Sequence, residues 1–549
     1  FLSLKEDSKS WKSWTLTPRQ LCDLELLLNG GFSPVTQFLG RLDYESVCQK
    51  MRLQNGTLWP IPIVLDLPPI FANSLTLGEK LILQDPEGIF LALLTLNEIW
   101  EPDRHQEAHY VYGTTNPEHF GVYTLLEKTH PIYVSGTLEG VSLPRHYDFQ
   151  VYRQTPAELK KEFQQEGWQQ IIAFQTRNPL HRAHVEMTLK AVRDYQAKLL
   201  IHPSVGLTQT GDVDYFTRVR CYQAVLPYYP KQSVKLSLLP LAMRMAGPRE
   251  AVLHAILRKN YGCTHFILGR NHASPTKDSA GNEFYEPYAA QEAVQKYEKE
   301  LQIHPIAFRE MFYIEEMDRY LSEEEISPNQ HPRTLSGTHL RQFLSQGKEI
   351  PSWFSYPEVV AELIKTYPKR SQQGLTLFFT GLPSSGKSTL ANSLLSKFLE
   401  IGDRSVSLLD GDIVRKMLSS ELTFSREHRE LHLRRVGYVA SEITKNKGIA
   451  ICALIAPYEE IRKEVREMIQ RYGNFVLIYL STSLEICEQR DRKGLYLKAR
   501  QGLLKDFTGI SDPYEVPKTP EIVIDTARLS VDEAIAKVWA HLRQEEYVL

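Results

Sequence analysis

The chain has 549 residues, 42% hydrophobic and 24% charged, with 64 basic against 66 acidic side chains and a formal net charge of −2. That length exceeds one ordinary core and implies several domains. The near-neutral balance excludes the basic excess of a typical nucleic-acid binder, but not local anion sites. Cys22, Cys48, Cys221, Cys263, Cys452 and Cys487 are scattered without a CxxC pair, so neither a disulfide framework nor a zinc site is expected. The longest strongly apolar stretch, Ile449 to Pro457, is far short of a membrane span. The opening FLSLKEDSKSW has no apolar core of signal-peptide length, so a cytoplasmic enzyme without membrane contact is expected.

Residues 1–169 hold short apolar runs broken by Pro and Gly, such as LWPIPIVLDLPPIF and EKLILQDPEGIFLALLTL, which predict a mainly β zone. From Gln170 the pattern becomes strand then helix: QQIIAF, then AHVEMTLKAVRDY with helical apolar spacing. KLLIHPSV, VKLSLLPL and THFILGR are further strands, which predicts a parallel α/β sheet over 170–319. Residues 320–368, ending in SWFSYPEVVAELIKTYPK, read as mostly helical, with Ser336 as an N-cap in TLSGTHLRQFL. The polar stretch YPKRSQQG, 367 to 374, is the linker candidate, and LTLFFT opens a second α/β domain over 372–549.

Two segments in the first half carry candidate chemistry. Directly after QQIIAF come Gln175, Thr176, Arg177, Asn178, Pro179, Leu180, His181, Arg182, Ala183 and His184. A strand edge followed by a helix start is where α/β sheets bind phosphates. His181 and His184 share a helical face and can donate to nucleotide phosphates. Gln175 and Arg177 can fork onto a tetrahedral oxyanion. A lone HxxH pair is more often packing or surface; the whole string is the stronger signal. After THFIL, Arg270, Asn271 and His272 are expected to face the same crevice, with Gly269 letting the loop bend. Between the segments, Arg244 and Arg249 either add charge or solvate a loop.

In the last third, GLPSSGKS fits the phosphate-loop pattern G-x-x-x-x-G-K-[ST], from Gly381 through Leu382, Pro383, Ser384, Ser385, Gly386 and Lys387 to Ser388, with Thr389 next. A strand, Leu375 to Thr380, precedes it and a helix, Thr389 to Leu399, follows. The glycines let backbone N–H groups converge on a phosphate, Lys387 reaches the outer phosphates, and the Ser388 hydroxyl ligates Mg²⁺. Asp410, ending SVSLLD, is a base, a Mg²⁺ partner or a helix-capping turn, and Arg415 can hold an anion. Arg490, Arg492, Lys493, Lys498 and Arg500 form either a solvated helix face or a lid over phosphates.

GLPSSGKST, LLDGDIVR, FSREHR, KGLYLKAR and DFTGISDPYEVP resemble adenylylsulfate (APS) kinase over roughly residues 372–549. The resemblance implies transfer of the ATP γ-phosphate to the ribose 3′-OH of adenylyl sulfate. It implies that Asp412, Arg415, Phe424, Arg429, His432, Ile455 and Lys498 line that substrate, that Phe507 stacks on its adenine, and that Asp410 is the base. Two positions depart: His432 replaces a usual Asn, and Ile455-Ala456-Pro457 a usual Ile-Ser-Pro. LTPRQLCDLELLLNGGFSPVTQFL through WFSYPEVV resembles ATP sulfurylase over most of residues 1–365. This implies a PUA-like β domain (1–169), a HUP/Rossmann-like nucleotidyltransferase domain (170–319) and a small, mostly helical subdomain (320–368) ahead of the P-loop kinase α/β domain (372–549).

The sulfurylase resemblance implies that sulfate attacks the α-phosphorus of MgATP. Gln175 and Arg177 would bind sulfate, with Thr176 and Asn178 in the same catalytic string. His181 and His184 would stabilise the pentavalent transition state and the leaving pyrophosphate. Gly269, Arg270, Asn271, His272 and Ala273 would hold the nucleotide, although GRNHASP departs from the usual GRDHAGP at Asn271 and Ser274. The combined expectation is bifunctional sulfate activation: ATP and sulfate to adenylyl sulfate and pyrophosphate, then 3′-phosphorylation to PAPS. Mg²⁺ as MgATP is the expected cofactor, with no organic prosthetic group, and a homo-oligomer is expected. Three alternatives stand beside it. The C-terminal domain is a regulatory module, as in fungal ATP sulfurylases whose kinase-like domain has lost its phosphate loop; or the first reaction runs toward ATP; or the first half uses a different oxyanion.

Overall fold

The computed structural model describes residues 11–209 and 212–548; the opening FLSLKEDSKS, read above for signal-peptide character, lies outside the described residues. The chain forms two compact units. One runs to Ser336 and takes back Ile350–Leu363; the other comprises Gly337–Glu349 and Ile364–Leu549. Among the described residues no helix is long and apolar enough to cross a membrane.

In the first unit, β1 (Lys12–Thr15), β2 (Leu65–Leu67), β3 (Lys80–Gln84), β4 (Phe90–Trp100) and β5 (Ile132–Gly140) form one sheet, ordered β1-β3-β4-β5-β2. All pairings are antiparallel except β1 with β3. The zone also contains helices that the strand-rich reading passed over: α1 (Pro18–Leu28), α2 (Arg41–Lys50) and α3 (Arg104–Tyr112). Thr17 starts α1 with a capping box to Gln20 and a proline in the first turn, so its local chemistry is that of a helix N-terminus. A second capping box, Thr155 with Glu158, starts α4 (Pro156–Gln165).

The next sheet is wholly parallel: β6 (Ile171–Phe174), β7 (Lys198–Ile201), β8 (Val234–Leu236), β9 (His265–Leu268) and β10 (His304–Ala307), ordered β10-β9-β6-β7-β8. All four residues of β6 are buried, as expected where helices cover both faces. The helices are α5 (Arg182–Asp194), α6 (Tyr215–Val225), α7 (Gly247–Asn260) and α8 (Ala289–Lys296). The chain builds outward from β6 to β8, then returns to lay β9 on the other side of β6. That reversal opens a crevice at the C-terminal ends of β6 and β9.

One apolar core runs through the β zone and the parallel sheet, from Leu16 and Trp59 to Phe266 and Ile303. Arg244 and Arg249 serve this junction and do not solvate a loop. Arg244 Nη2 donates to both oxygens of the buried Asp23 on α1, 2.6 and 2.7 Å away. Arg249 donates to the carbonyls of Val47, Cys48 and Pro60.

Within 320–368, helices α9 (Gly337–Ser345) and α10 (Pro357–Thr366) follow a short antiparallel sheet that periodicity did not reveal. Its strands β11 (Met311–Ile314), β12 (Arg319–Ser322) and β13 (Pro332–Arg333) are ordered β12-β11-β13.

In the second unit, β14 (Leu375–Gly381), β15 (Val406–Asp410), β16 (Ile449–Ala453), β17 (Asn474–Leu480) and β18 (Ile522–Ile524) form a parallel sheet ordered β15-β16-β14-β17-β18. Its helices are α11 (Lys387–Ile401), α12 (Gly411–Leu418), α13 (Arg426–Lys445), α14 (Glu459–Gln470), α15 (Leu484–Gln489), α16 (Leu495–Arg500) and α17 (Val531–Gln544). Alternate residues of β14 feed two cores. Leu375, Leu377 and Phe379 pack with α11 and α17, while Phe378 packs with α13 and α14. The sheet is thus fixed from both faces, and β14 delivers the phosphate loop at its C-terminal edge.

Candidate functional site

In the first unit, segments 175–184 and 269–274 follow β6 and β9 into the crevice. The Thr176 hydroxyl donates to Asn178 O at 3.1 Å and accepts the Asn178 N–H at 3.0 Å, closing a tight turn. Tyr222 donates to the same carbonyl at 3.0 Å. His181 caps the start of α5, and His184 Nδ1 accepts the His181 N–H at 3.2 Å. A neutral His184 therefore carries its proton on Nε2 and is a donor there. His181 Nδ1 lies 2.9 Å from Ser355 Oγ, and its ring sits 4.5 Å from that of Phe354. Burial lowers His181 to about 3, with His184 adding to the effect, and lowers His184 to about 4. Both are neutral at pH 7, so each offers a directed N–H and no fixed positive charge.

Arg177 is anchored across the crevice: Nη1 donates to Asp212 at 2.6 Å and Nη2 to Ser274 O at 3.1 Å. Gln175 Nε2 makes a long contact of 3.4 Å to Ser204 Oγ, and its Oε1 is buried without a partner among the described residues. Turning the amide over lets Ser204 donate to the oxygen and puts two N–H donors at the empty position. Asp212 Oδ2 and Asn271 Oδ1 are likewise buried and unpartnered among the described residues.

The loop after β9 is strained. Asn271 and Ala273 have φ of +52° and +55°, a region that costs a residue with a side chain about 1–2 kcal/mol. Its three polar side chains do not face one way. Arg270 is exposed and pairs with Glu310 at 3.1 Å, whereas His272 is turned inward, its Nε2 3.0 Å from His254 Nδ1. Burial, then His254, Arg258 and Arg177, hold His272 well below the usual imidazole range.

In the second unit the phosphate loop joins β14 to α11. Gly381 and Gly386 have φ of +152° and +99°, and a Cβ on Gly381 would stand 2.9 Å from Leu480 O. Lys387 is buried beneath the loop, Nζ donating to Leu382 O at 2.7 Å and Gly381 O at 3.0 Å. Ser388 Oγ donates to Asp410 Oδ2 at 2.7 Å, while Asp410 Oδ1 accepts the Asp412 N–H and caps α12. Both readings of Asp410, cap and cation partner, are thus compatible with one side chain. Ser384 and Thr389 are exposed and Ser385 is buried.

The expected adenylyl sulfate residues are partly gathered. Arg415 lies over the Phe424 ring, 4.3 Å from its centroid. Arg429 donates to Phe424 O at 2.7 Å and binds Thr508 Oγ1 and Asp506 O, bringing the 506–512 loop alongside. Phe507 in that loop packs edge-on against Tyr496, 5.0 Å between centroids. Ile455 O accepts from Thr380 Oγ1 at 2.6 Å. His432 is buried against Ser419 Oγ at 2.9 Å, and burial, aided by Arg415 and Arg435, lowers it to about 4. Lys498 is exposed on α16. Several cations of the proposed lid are already engaged: Lys493 with Asp412, Arg500 with Glu488 at 2.8 Å, and Arg490 with Thr526 Oγ1 at 2.7 Å.

Sequence reasoning missed the residues that brace these loops from a distance. Thr526 donates to Ser385 O at 3.0 Å and Tyr496 to Pro383 O at 2.9 Å, so both clamp the phosphate loop. Asp212, Ser355 and His254 do the same for the first crevice. Each lies far along the chain from its partner, and no local motif announces it. A cavity of about 680 Å³ against α5, lined by Arg182, Glu186, Lys190, Arg319, Tyr320 and Trp353 among others, takes only Arg182 from the 175–184 string.

Residues 150–366 match the ATP-sulfurylase family model, residues 373–525 the adenylylsulphate kinase model, and residues 2–143 a PUA-like domain model. A sulfate adenylyltransferase of Chaetomium globosum is 48% identical over 97% of this chain and 94% of its own. One of Coccidioides immitis is 47% identical over 99% and 96%. Among solved structures, a hexameric APS kinase from Thiobacillus denitrificans superposes with a TM-score of 0.81 at 38% identity, covering 100% of this chain and 96% of that one. The chain therefore belongs to the sulfate adenylyltransferase family, joins an ATP-sulfurylase domain to an adenylylsulfate kinase domain, and is a transferase of both kinds acting in sulfate activation.

Proposed function

We propose that the chain converts sulfate and two ATP into PAPS, with adenylyl sulfate as the intermediate. The observation that carries this reading is the intact phosphate loop of the second unit, with Lys387 buried beneath it and Ser388 bonded to Asp410. A regulatory module that has lost its phosphate loop would not keep Lys387 and the Ser388–Asp410 pair.

In the first crevice, Gln175 and Arg177 take the sulfate, with Thr176 and Asn178 shaping the turn that presents them. His181 and His184, neutral, donate hydrogen bonds to the triphosphate as charge builds on the pyrophosphate. Gly269, Arg270, Asn271, His272 and Ala273 hold the nucleotide. The unpartnered amide oxygens of Gln175 and Asn271 support an anionic ligand here, because either amide turned over presents N–H donors and buried polar groups ordinarily find partners. No covalent nucleophile is required: the displacement is in line, and positioning with charge stabilisation supplies the rate.

In the second unit, loop residues 381–389 cradle ATP and Lys387 contacts its outer phosphates. The Ser388 hydroxyl beside the Asp410 carboxylate fits a hard, oxygen-binding Mg²⁺ carried in with ATP, which would neutralise phosphate charge. Asp410 accepts the proton of the 3′-OH. Asp412, Arg415, Phe424, Arg429, His432, Ile455, Lys498 and Phe507 form the adenylyl sulfate pocket. The forward direction is favoured chemically, since a phosphate–sulfate anhydride lies uphill and the kinase removes it. The hexameric relative supports a homo-oligomer.

Two variants of the full chain test the two-site reading. Lys387→Ala is expected to cut adenylyl sulfate-dependent ADP formation about 100-fold or more, while sulfate-dependent pyrophosphate release stays near wild type. Arg177→Ala is expected to do the reverse. Loss of both activities in either folded variant would refute two separate sites.

A further inference from the structure

Helix α7 carries Glu250, His254 and Arg258 four residues apart, and all three are fully buried. A buried helix face is ordinarily apolar, so an ionisable stripe there calls for a reason. Glu250 Oε1 accepts the Arg244 N–H and Oε2 the Ala246 N–H, each at 2.9 Å. Burial alone would raise this carboxyl, but His254 and the two N–H groups hold it below its usual range, so it is an anion. His254 Nε2 lies 3.4 Å from Glu250 Oε1, long for a hydrogen bond but close enough for the charge to choose which nitrogen is protonated. On its other side His254 Nδ1 meets His272 Nε2 at 3.0 Å.

We propose that Glu250 and His254 are positioning residues that fix the tautomer of His272 for nucleotide binding, an inference that rests on the reading of 269–273 as a nucleotide loop. Burial keeps His254 neutral, so it has one proton, held on Nε2 by Glu250. Its Nδ1 is then an acceptor, and His272 must donate from Nε2. His272 Nδ1 is left bare, and neighbouring Arg177 and Arg258 oppose a second proton. A bare imidazole nitrogen pairs with an amino or hydroxyl donor of the adenosine moiety and repels phosphate oxygen. The same helix also holds the strained loop at Ala273, whose carbonyl accepts the Gly247 N–H at 3.1 Å.

The test uses the full chain with ¹⁵N-labelled histidine. Ring-nitrogen shifts in the wild type are expected to show His272 protonated on Nε2 and bare at Nδ1 at pH 7. His254→Leu is expected to abolish that single tautomer and to raise KM for ATP in sulfate-dependent pyrophosphate release about tenfold, with kcat changed less than about twofold. His254→Asn, which restores an acceptor near the Nδ1 position, is expected to recover most of both, and the near-normal kcat of pyrophosphate release reports that the first unit is folded. A charged or Nδ1-protonated His272 in the wild type, or an unchanged tautomer in His254→Leu, would overturn the proposal. Absence of sulfate-dependent pyrophosphate release in the wild type would instead defeat the nucleotide reading, with the shifts still deciding the relay.

Discussion

Lys387 is a cation placed where there is little water. Burial lowers it to about 8, and without ATP its charge is solvated by the carbonyls of Gly381 and Leu382. ATP requires the charged form. Above pH 8 the free enzyme loses that proton, so binding must take one up and affinity falls about tenfold per pH unit. KM for ATP in the kinase reaction is therefore expected to be flat from pH 7 to about 8 and to climb beyond it; a flat profile to pH 9.5 would contradict this environment. Lys387 and Ser388 were legible in the sequence because a short loop fixes their geometry through covalent spacing alone. His254 was not, because its role depends on His272, 18 residues away and reached through the fold. The partner of Arg490 was hidden for a similar reason. In the sequence it is one of a run of cations on a solvated face or a lid, and its bond to Thr526, 36 residues on, is set by the fold.

At the scale of elements, the loop before α7 is tied to α1 by Arg244 and Asp23, both buried. Removing one partner strands the other charge. Arg244→Ala is expected to destabilise the first unit by about 3 kcal/mol, the low end for a broken buried pair because Arg19 still binds Asp23 at 2.8 Å. Chemical denaturation checks this, and a loss below about 0.5 kcal/mol, typical of a solvated arginine, would contradict it. The parallel strands could be read directly, since IIAF, KLLI and LTLFFT are dominated by apolar residues and buried almost throughout. The strands β11 and β12 could not, because MFYIEEMDRYLS mixes acids into a half-exposed hairpin with no clean alternation. Helices α1 to α3 were hidden by the proline-rich strands around them, although the Thr17–Gln20 capping box did mark the start of α1.

At the scale of the molecule, two parallel sheets each present a crevice at the C-terminal ends of their strands, and each lies in the region that matches one of the two enzyme family models. In the proposed reaction the first product is a mixed phosphate–sulfate anhydride, and its removal at the second site would give the first its direction. The sequence resemblance marks His432 and Ala456 as departures from an expected Asn and Ser. Ala456 has φ of +45° and is packed in the core, while its carbonyl binds the buried Arg462 at 2.6 Å. The backbone at Ala456 is therefore held without a serine hydroxyl. The most direct measurement follows labelled sulfate through the full chain with MgATP. Label is expected to pass through a small pool of adenylyl sulfate into accumulating PAPS, with one ADP and one pyrophosphate formed per PAPS. Label that stops at adenylyl sulfate, with no ADP above background, would contradict the account.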